Sequence, residues 1–267
     1  MMQKDDVATF WERASCGEAL YLAENSVEGF RRQSIKRYEL EPYIIDFASF
    51  DAWKNKKVLE IGVGLGADHQ RFAESGANLY GIDLTNRAVS FTKERLDLFG
   101  LHSNIEVGDA EALRFADGAF DLVYSWGVIH HSPNTKQAAA EILRVLRPGG
   151  KFRVMIYHKY SFVGYMLWIR YALLKLKPWK SLAEIYSNYL ESPGTKAYTT
   201  SDAMKLFSSA SRIRCRTVLT HGDLLTSDAG QRHRGLMLTV AKLFWPRRLI
   251  QKFFPKHGLF MLIEGEK

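Results

Sequence analysis

The chain has 267 residues, of which 46% are hydrophobic and 25% are charged, a composition typical of a folded soluble protein with a sizeable core. Only two cysteines occur, Cys16 and Cys215, and their number and separation argue against a disulfide framework and favour a reducing compartment. No stretch near residue 1 has the charged start, apolar middle and small-residue cleavage site of a signal peptide, so we expect a cytoplasmic protein.

The net charge of +8 is distributed unevenly along the chain. Residues 151–267 contain 20 Lys and Arg against seven Asp and Glu, whereas residues 1–150 carry a small excess of acidic residues. A basic region of this kind can contact nucleic acid, an anionic membrane surface or an acidic substrate, or it can be an ordinary solvated surface. Composition alone leaves these alternatives open.

Residues 5–50 are predicted to be helical, and the chain then alternates between short apolar runs and amphipathic stretches. The apolar runs predict five strands, at 56–62, 78–84, 104–110, 120–127 and 151–158. The amphipathic stretches predict helices that end at glycines, at 67–76, 86–100 and 135–150. Strands that alternate with helices favour a doubly wound, mostly parallel α/β sheet covered by helices on both faces.

The alternation stops after residue 158. The apolar and aromatic segment 161–177 predicts a lid helix or a wall of a substrate pocket, because it is too short and too interrupted to span a membrane. Residues 199–210 predict a further helix that begins with Thr and Ser caps. Residues 212–221 and 258–267 predict two more strands, which gives a seven-stranded sheet.

Neither an internal repeat nor a low-complexity linker interrupts the chain, so we predict one domain, 1–267, with an insertion after the fifth strand. Its parts are a helical N-terminal cap (1–50), a cofactor-binding core (51–158), a helical insertion or lid (159–210) and C-terminal strands (211–267). The last part contains a basic aromatic segment at 242–256, "KLFWPRRLIQKFFPK".

The first predicted strand ends in a glycine-rich loop, Glu60-Ile-Gly62-Val-Gly64-Leu-Gly66. Glycines at this point let the backbone approach a bound ligand where the strand turns into its helix. Nicotinamide and flavin enzymes use a similar loop and tolerate Ala67 at the position of their third glycine, so the loop alone does not identify the ligand. Their pattern does not require an acid two residues before the first glycine, and Glu60 therefore argues against a nicotinamide oxidoreductase.

Two more acidic residues follow later strands. Asp83 ends the second strand, where a carboxylate can accept both hydroxyls of a ribose, and Asp109 follows the third strand. Together with Glu60 they should lie along the carboxyl edge of the sheet, where open α/β folds bind ligands. Because no Lys or Arg lies in or beside the glycine loop, the pattern predicts a ligand with a ribose, a base and a positively charged end, without a phosphate.

Several ordered motifs between Val58 and Tyr157 resemble those of the class I S-adenosylmethionine-dependent methyltransferases, in particular the small-molecule "type 11" members. The motifs are "VLEIGVGLG", "GIDLT", "GDAEALRFADGAFDLVYSWGVIHH" and "EILRVLRPGGKFRVMIYH". The resemblance implies a Rossmann-like methyltransferase fold, S-adenosylmethionine as the cofactor and S-adenosylhomocysteine as its product.

The resemblance also implies which residues bind the cofactor. These are Gly62, Gly64 and Gly66 against the methionine part with Glu60 nearby, Asp83 at the ribose hydroxyls and Leu84 against the adenine, Asp109 and Ala110 at the adenine edge followed by Glu111, and Ser125, Trp126 and Gly127 beside the sulfonium.

His130 and His131 follow the fourth strand, near the place where the methyl group would be presented. An activated methyl group needs mainly a well-aligned nucleophile, and a general base is needed only if the acceptor loses a proton as it attacks. Each histidine is therefore a candidate base or a candidate wall of the pocket, and the remaining alternative is an imidazole bonded to the loop backbone.

Four further residues are candidates for acceptor binding. Tyr157 and His158 end the fifth strand, and Tyr21 and Tyr38 lie in the N-terminal helices, which can fold over the site. The isolated cysteines and the paired histidines lack the spacing of metal ligands, so we expect no metal.

The leading hypothesis is in-line transfer of a methyl group from S-adenosylmethionine to a small-molecule acceptor. The alternatives are a reaction of the same cofactor without methylation, such as cyclisation or transfer of another group, and methylation of a lipid-like acceptor at an anionic membrane surface through the basic C-terminal half. Nucleic acid is disfavoured as a substrate, because "SWGVIHH" stands where base-modifying enzymes often carry a polar tetrapeptide that contains proline.

Overall fold

A seven-stranded sheet organises the computed structural model, which describes residues 4–227 and 242–267. The strand order is β3-β2-β1-β4-β5-β7-β6, and β7 runs antiparallel to both of its neighbours while the other pairs are parallel. The strands are β1 (Lys57–Ile61), β2 (Asn78–Asp83), β3 (Asn104–Val107), β4 (Phe120–Trp126), β5 (Leu146–Tyr157), β6 (Ser211–Val218) and β7 (Phe260–Glu266). The predicted mostly parallel, seven-stranded α/β sheet is confirmed.

Helices precede the sheet, connect its strands and follow β5. Before β1 come α1 (Lys4–Arg13), α2 (Glu18–Tyr21), α3 (Val27–Leu40) and α4 (Tyr43–Ala48). The crossovers contain α5 (Ala67–Glu74), α6 (Asn86–Leu98) and α7 (Thr135–Val145). The remaining described helices are α8 (Phe162–Tyr171), α9 (Leu182–Tyr189), α10 (Thr200–Leu206) and α11 (Arg247–Phe253). Within the described ranges, no helix has the length and apolar character needed to cross a membrane.

The helix predicted for 135–150 is shorter than the sequence indicates. It ends at Val145, and β5 begins at Leu146 and continues through Pro148, which cannot donate to a helix. Lys267 pairs with this segment, because the Gly149 N–H donates to the Lys267 carbonyl and the Lys267 N–H donates to the Gly150 carbonyl. This pairing with a residue far away in the sequence explains why residues 146–150 form a strand and not the end of a helix. A local sequence pattern cannot predict such a pairing.

Alternation along the central strands separates the two faces of the sheet. Leu122 and Tyr124 of β4 belong to an apolar cluster with the N-terminal helices and α8 and α9, whereas Val123 packs on the opposite face with α7 and α10. Successive side chains of a strand point to opposite faces, and this alternation continues to the last residue of β4. Trp126 consequently packs on the face that the N-terminal helices cover.

A buried guanidinium fastens the N-terminal helices to the core. Arg95 of α6 is fully buried and donates to the side chains of Gln70 at 2.6 Å and Gln33 at 2.8 Å, and to the carbonyls of Leu65 at 2.9 Å and Phe30 at 3.2 Å. Burial lowers the pKa of Arg95 to about 10, so it stays charged at neutral pH. One side chain thus joins α3, the glycine-rich loop, α5 and α6.

Replacing Arg95 should therefore destabilise the protein. We expect Arg95→Met to lower the free energy of unfolding by about 3 kcal/mol, because it leaves several buried acceptors without a donor. Urea unfolding measures this loss. The matched control is Arg71→Met on α5, whose side chain is 47% exposed, pairs with Glu74 at 3.5 Å and lies 5.9 Å from the centroid of the Phe50 ring, and whose loss should cost about 0.5 kcal/mol. Equal losses in the two variants would contradict the assigned role.

Candidate active site

The carboxyl ends of β1, β2, β4 and β5 border a cavity of about 220 Å³. The N-terminal helices close it on one side through residues such as Trp11, Cys16 and Arg37. Glu191, which follows α9, contributes another part of the wall. The segment predicted as a lid or pocket wall, 161–177, contains α8 and supplies no lining residue among those described, so its role as a lid stays a prediction.

The glycine-rich loop leaves room for a ligand at one of its positions. Gly62 has φ +83°, and a Cβ there would lie 2.1 Å from Val128 Cγ2, so only glycine fits against this neighbour. Gly64 has φ +53°, and a Cβ there would meet nothing within 4 Å. Because Gly64 lines the cavity, its bare backbone borders open space that a side chain would otherwise fill.

Asp83 connects the end of β2 to this loop. Its Oδ2 accepts the Gly64 N–H at 3.2 Å, and its Oδ1 accepts the N–H and the hydroxyl of Thr85 at 3.0 and 2.8 Å. Burial raises the pKa of Asp83, and these donors oppose the rise. The carboxylate lines the cavity beside Leu84, and a carboxylate at this position can also accept the hydroxyls of a ribose.

Glu60 lines the cavity from inside the sheet and forms a buried chain of hydrogen bonds. The Ser103 hydroxyl donates to the Leu79 carbonyl at 2.8 Å, so it must accept from His69 Nε2 at 2.9 Å. Burial lowers the pKa of His69 to about 3, and burial followed by the charge of Asp68 raises that of Glu60. A neutral His69 then offers only a lone pair at Nδ1, and Glu60 donates to it as a protonated acid at 2.9 Å.

A buried ion pair joins α3 to the first turn of α5. Arg37 donates to both carboxylate oxygens of Asp68, at 2.9 and 2.7 Å, and the hydroxyls of Tyr38 and Tyr124 donate to the same carboxylate at 3.0 and 2.8 Å. Burial opposes ionisation of Asp68, but the charge of Arg37 and these donors outweigh it and hold its pKa below the usual range. Tyr38, a predicted acceptor-binding residue, is thus occupied in this network and does not line the cavity.

The residues predicted at the adenine edge divide between the cavity and a neighbouring loop. Asp109 and Ala110 line the cavity, and Lys4 of α1 pairs with Asp109 at 2.5 Å and with Glu111 at 2.9 Å. Glu111 does not line the cavity and accepts the Asn134 N–H at 2.7 Å. It therefore holds the loop before α7 in place.

At the end of β4, too, only some of the predicted residues line the cavity. Trp126 and Gly127 line the cavity, whereas Ser125 is buried on the other face of the sheet, and its hydroxyl has no hydrogen-bond partner in the described part of the chain. The sequence predicted all three beside the sulfonium. The two-residue period of the strand explains why the structure brings only part of this set to the cavity.

The two histidines after β4 lie in different environments. His130 is fully buried and lines no part of the cavity, and neither ring nitrogen has a hydrogen-bond partner among residues 4–227 and 242–267. Burial and then the neighbouring charges lower its pKa well below the usual value. His131 lines the cavity, with Nδ1 2.8 Å from the Ser192 hydroxyl and 3.1 Å from that of Thr195, and with Nε2 3.3 Å from Glu191 Oε2.

Of the other candidates for acceptor binding, the structure brings only Tyr157 to the cavity. Its hydroxyl donates to Glu191 Oε2 at 2.7 Å. His158 faces away, with Nδ1 3.3 Å from the Gly258 carbonyl, and Tyr21 lies outside the lining. In the described part of the chain, no group of three or more His, Cys, Asp or Glu side chains is arranged to hold a metal ion.

Among the acids of the cavity wall that sequence reasoning missed are Glu41 and Glu191. Glu41 caps the C-terminus of α3, and burial raises its pKa to about 7 although the charge of Arg37 opposes the rise. Neither acid lies at a strand end or in a recognisable motif. No local signal in the sequence could have placed them together.

The difference between the histidines is testable through stability. His130→Leu should leave the free energy of unfolding within about 1 kcal/mol of the original or raise it, because it fills the space and removes two unpaired polar atoms. His130→Ala leaves a void and should cost about 2 to 4 kcal/mol. His131→Leu is the matched control, expected to be destabilising because it breaks the bonds to Ser192 and Thr195. A His130→Leu variant as unstable as His130→Ala would contradict a purely packing role.

Part of the chain is similar in sequence to known methyltransferases. Residues 59–154 match a family model described as a methyltransferase domain (Methyltransf_11). Phosphoethanolamine N-methyltransferase 2 of Caenorhabditis elegans is 35% identical over 104 residues, which are 38% of this chain and 24% of that protein. Fatty-acid O-methyltransferase of Mycolicibacterium smegmatis is 34% identical over 120 residues, or 44% of this chain and 43% of the relative. The matches thus span less than half the length of these relatives.

A solved structure shares the fold. Phosphoethanolamine N-methyltransferase 2 of Haemonchus contortus, in complex with phosphomonomethylethanolamine and S-adenosylhomocysteine, aligns with a TM-score of 0.55 and 18% identity. The alignment covers 80% of this chain and 49% of that chain. At this identity the likeness concerns the fold.

Proposed function

We propose that this chain, whose residues 59–154 match a family model described as a methyltransferase domain, is a class I S-adenosylmethionine-dependent methyltransferase and transfers a methyl group from S-adenosylmethionine to a small-molecule acceptor. The observation that carries the proposal is the junction of Asp83 with the glycine-rich loop. There a buried carboxylate and the open space beside Gly64 face one cavity at the carboxyl edge of the sheet.

The chemistry of the lining fits this cofactor. Asp83 would hold the ribose hydroxyls, Asp109 and Ala110 would border the adenine, and the loop backbone would contact the methionine part. The cations in the described lining, Lys4 and Arg37, are each paired with a carboxylate and do not form a phosphate site. This arrangement suits a ligand with a ribose and a positive charge.

In the proposed mechanism, positioning makes the largest contribution. Bound S-adenosylmethionine supplies a methyl group that is already activated by its positively charged sulfur. Trp126 and Gly127 would border the reacting end, and the N-terminal helices would exclude water from it. His131 and Tyr157 both contact Glu191 and would fix the wall that faces the acceptor. Alignment of the acceptor along the line of displacement then accounts for much of the rate.

Asp83→Asn tests the cofactor site. The substitution replaces an acceptor oxygen with an amide donor, so we expect S-adenosylhomocysteine to bind at least tenfold more weakly, the loss of a hydrogen bond to a charged group costing about 1.5 to 3 kcal/mol. Isothermal titration calorimetry measures the change. Asp51→Asn, at an exposed position before β1, is the control and should bind normally. Binding of NAD in preference to S-adenosylhomocysteine, or unchanged affinity in Asp83→Asn, would refute the assignment.

A second proposal concerns peripheral contact with an anionic membrane. All residues from 173 to 179 are exposed, and they include Leu176 and Trp179 at 83% and 75% exposure. Residues 251–256 are also exposed and include Phe253 and Phe254. Lysines are interleaved with the apolar residues in both segments, a combination that suits insertion at the interface of an anionic bilayer.

The basic aromatic segment packs against the start of α8, the helix that precedes residues 173–179. The Phe162 ring of α8 lies 6.0 Å from the Phe254 ring and 6.1 Å from the Trp245 ring, measured between centroids. Both exposed segments therefore adjoin α8, one through Phe254 and the other as the chain that follows the helix. Such a surface could bring an enzyme to an acceptor that resides in a membrane.

Vesicle co-sedimentation tests this proposal. The protein should bind vesicles that contain phosphatidylglycerol at low salt, bind pure phosphatidylcholine poorly, and dissociate at high salt. The double substitution Leu176→Ser and Trp179→Ser should reduce binding at least fivefold. Ile35→Ser, at a 59% exposed position on α3, should have no effect. Absence of binding at low salt would refute membrane contact and leave the cofactor proposal unaffected.

A further inference from the structure

One end of the cavity combines groups from five separate parts of the chain. We call it the acceptor end and define it by Glu41, Trp126, His131, Tyr157 and Glu191, all of which line the cavity. Tyr157 and His131 both contact Glu191. Glu41 approaches from the C-terminus of α3, and the Trp126 indole N–H interacts with its carboxylate.

The two carboxylates belong to one electrostatic cluster. Burial raises the pKa of Tyr157 well above its usual value, and the charges of Glu191 and Glu41 raise it further. The same two charges act on Cys16, which also lines the cavity. Both acids also line the same cavity and therefore face a ligand bound in it.

Negative charge predominates here. Glu41, Asp68 and Glu191 face a single guanidinium, Arg37, among the described residues that line this end. Arg37 donates both of its short hydrogen bonds to Asp68 and lies 3.5 Å from Glu41 Oε2. The cation is therefore committed mainly to Asp68 and leaves an excess of acid beside the cavity.

Two buried polar atoms at this end make no hydrogen bond within the described chain. They are Glu41 Oε2 and His131 Nε2. His131 is only 4% exposed, and its other nitrogen is held by Ser192 and Thr195, so Nε2 is fixed in the wall of the cavity. Glu41 Oε2 lies 3.5 Å from Arg37, and His131 Nε2 lies 3.3 Å from Glu191 Oε2. A bound polar group in the cavity would add the hydrogen bonds that these contacts do not provide.

From this arrangement we infer that the acceptor is an amine, bound as an ammonium ion between Glu41 and Glu191, with Glu41 as the group that removes its proton. The inference rests on the proposed methyl transfer and specifies its substrate class. Carboxylates form charge-assisted hydrogen bonds with an ammonium ion, whereas the face of Trp126 is already covered by the Arg37 guanidinium, 6.0 Å from the ring centroid. A carboxylate acceptor would meet repulsion at the same place.

The reaction balances without a further reactant. Glu41 takes one proton from the ammonium ion, which leaves an electron pair on the nitrogen. That pair forms the new bond to the methyl carbon as the carbon–sulfur bond breaks and its electrons remain on sulfur. The product is a methylated ammonium ion and neutral S-adenosylhomocysteine, and Glu41 later releases its proton to water.

The pH dependence follows from the state of Glu41. Burial raises its pKa to about 7, and the groups that face it are Arg37, Asp68, Trp126 and Glu191, with Cys16 and Tyr43 beside them. Only the ionised carboxylate can take a proton. Methylation of an amine should therefore rise as the pH increases through about 7, because the ionised fraction of Glu41 rises.

The test compares amines with neutral and acidic analogues on protein loaded with S-adenosylhomocysteine. The probes are 2-phenylethylamine, cyclohexylamine and butylamine, each beside the alcohol and the carboxylate of the same skeleton, titrated by calorimetry. We expect at least one amine to bind ten or more times tighter than its alcohol, and the carboxylates to bind more weakly than both. Amines that bind no better than their alcohols would overturn the inference.

Matched variants test whether Glu41 and Glu191 are the groups that bind the amine. Glu41→Gln and Glu191→Gln should each weaken the binding of the preferred amine at least tenfold and change the affinity for S-adenosylhomocysteine by less than twofold. Glu39→Gln, two residues away on the exposed face of α3, should change neither. Loss of S-adenosylhomocysteine affinity in Glu41→Gln or Glu191→Gln, with amine binding retained, would show that these acids serve the cofactor and would overturn the inference.

The outcome separates this inference from the proposed function. Failure of the unmodified protein to bind S-adenosylhomocysteine would remove the proposed function itself. Normal binding of S-adenosylhomocysteine without a preference for amines would remove only the substrate class. Transfer of tritium from methyl-labelled S-adenosylmethionine to the preferred amine, abolished in Glu41→Gln but not in Glu39→Gln, is the result expected if both hold.

Discussion

The ion pair between Arg37 and Asp68 is the interaction on which the site depends. It joins α3, which comes before the sheet, to the first turn of α5, which follows the glycine-rich loop. A buried charge left without its partner costs several kcal/mol, so this pair fixes the N-terminal helices against the loop. Glu41 directly follows α3, and its place in the cavity wall is a consequence of that attachment.

The acids around the cavity differ in how their charge is balanced. Glu60 is held as a neutral acid by burial, Asp68 is paired with Arg37, and Asp109 is paired with Lys4. Asp83 receives its hydrogen bonds from neutral donors. Two regions of negative charge remain, one at Asp83 and the other at the acceptor end, which is the pattern expected of a cavity that holds two ligands side by side.

The adjacent histidines show how strongly packing decides the role of a residue type. A single step along the loop after β4 places one imidazole in the interior without polar partners and the other in the cavity wall beside Glu191. Both residues have the same intrinsic chemistry near neutral pH. Burial removes His130 from that chemistry, whereas His131 retains contact with the site.

The sequence by itself determined the alternation of strands and helices, the glycine-rich loop and the acids at the strand ends, because parallel strands bring their carboxyl ends to one edge whatever lies elsewhere. Only the tertiary structure decided that Ser125 and His130 turn inward and that Glu41 and Glu191 share one cavity wall. Those outcomes depend on which helix packs over which strand end, and such contacts between distant segments leave no periodic signal in the chain.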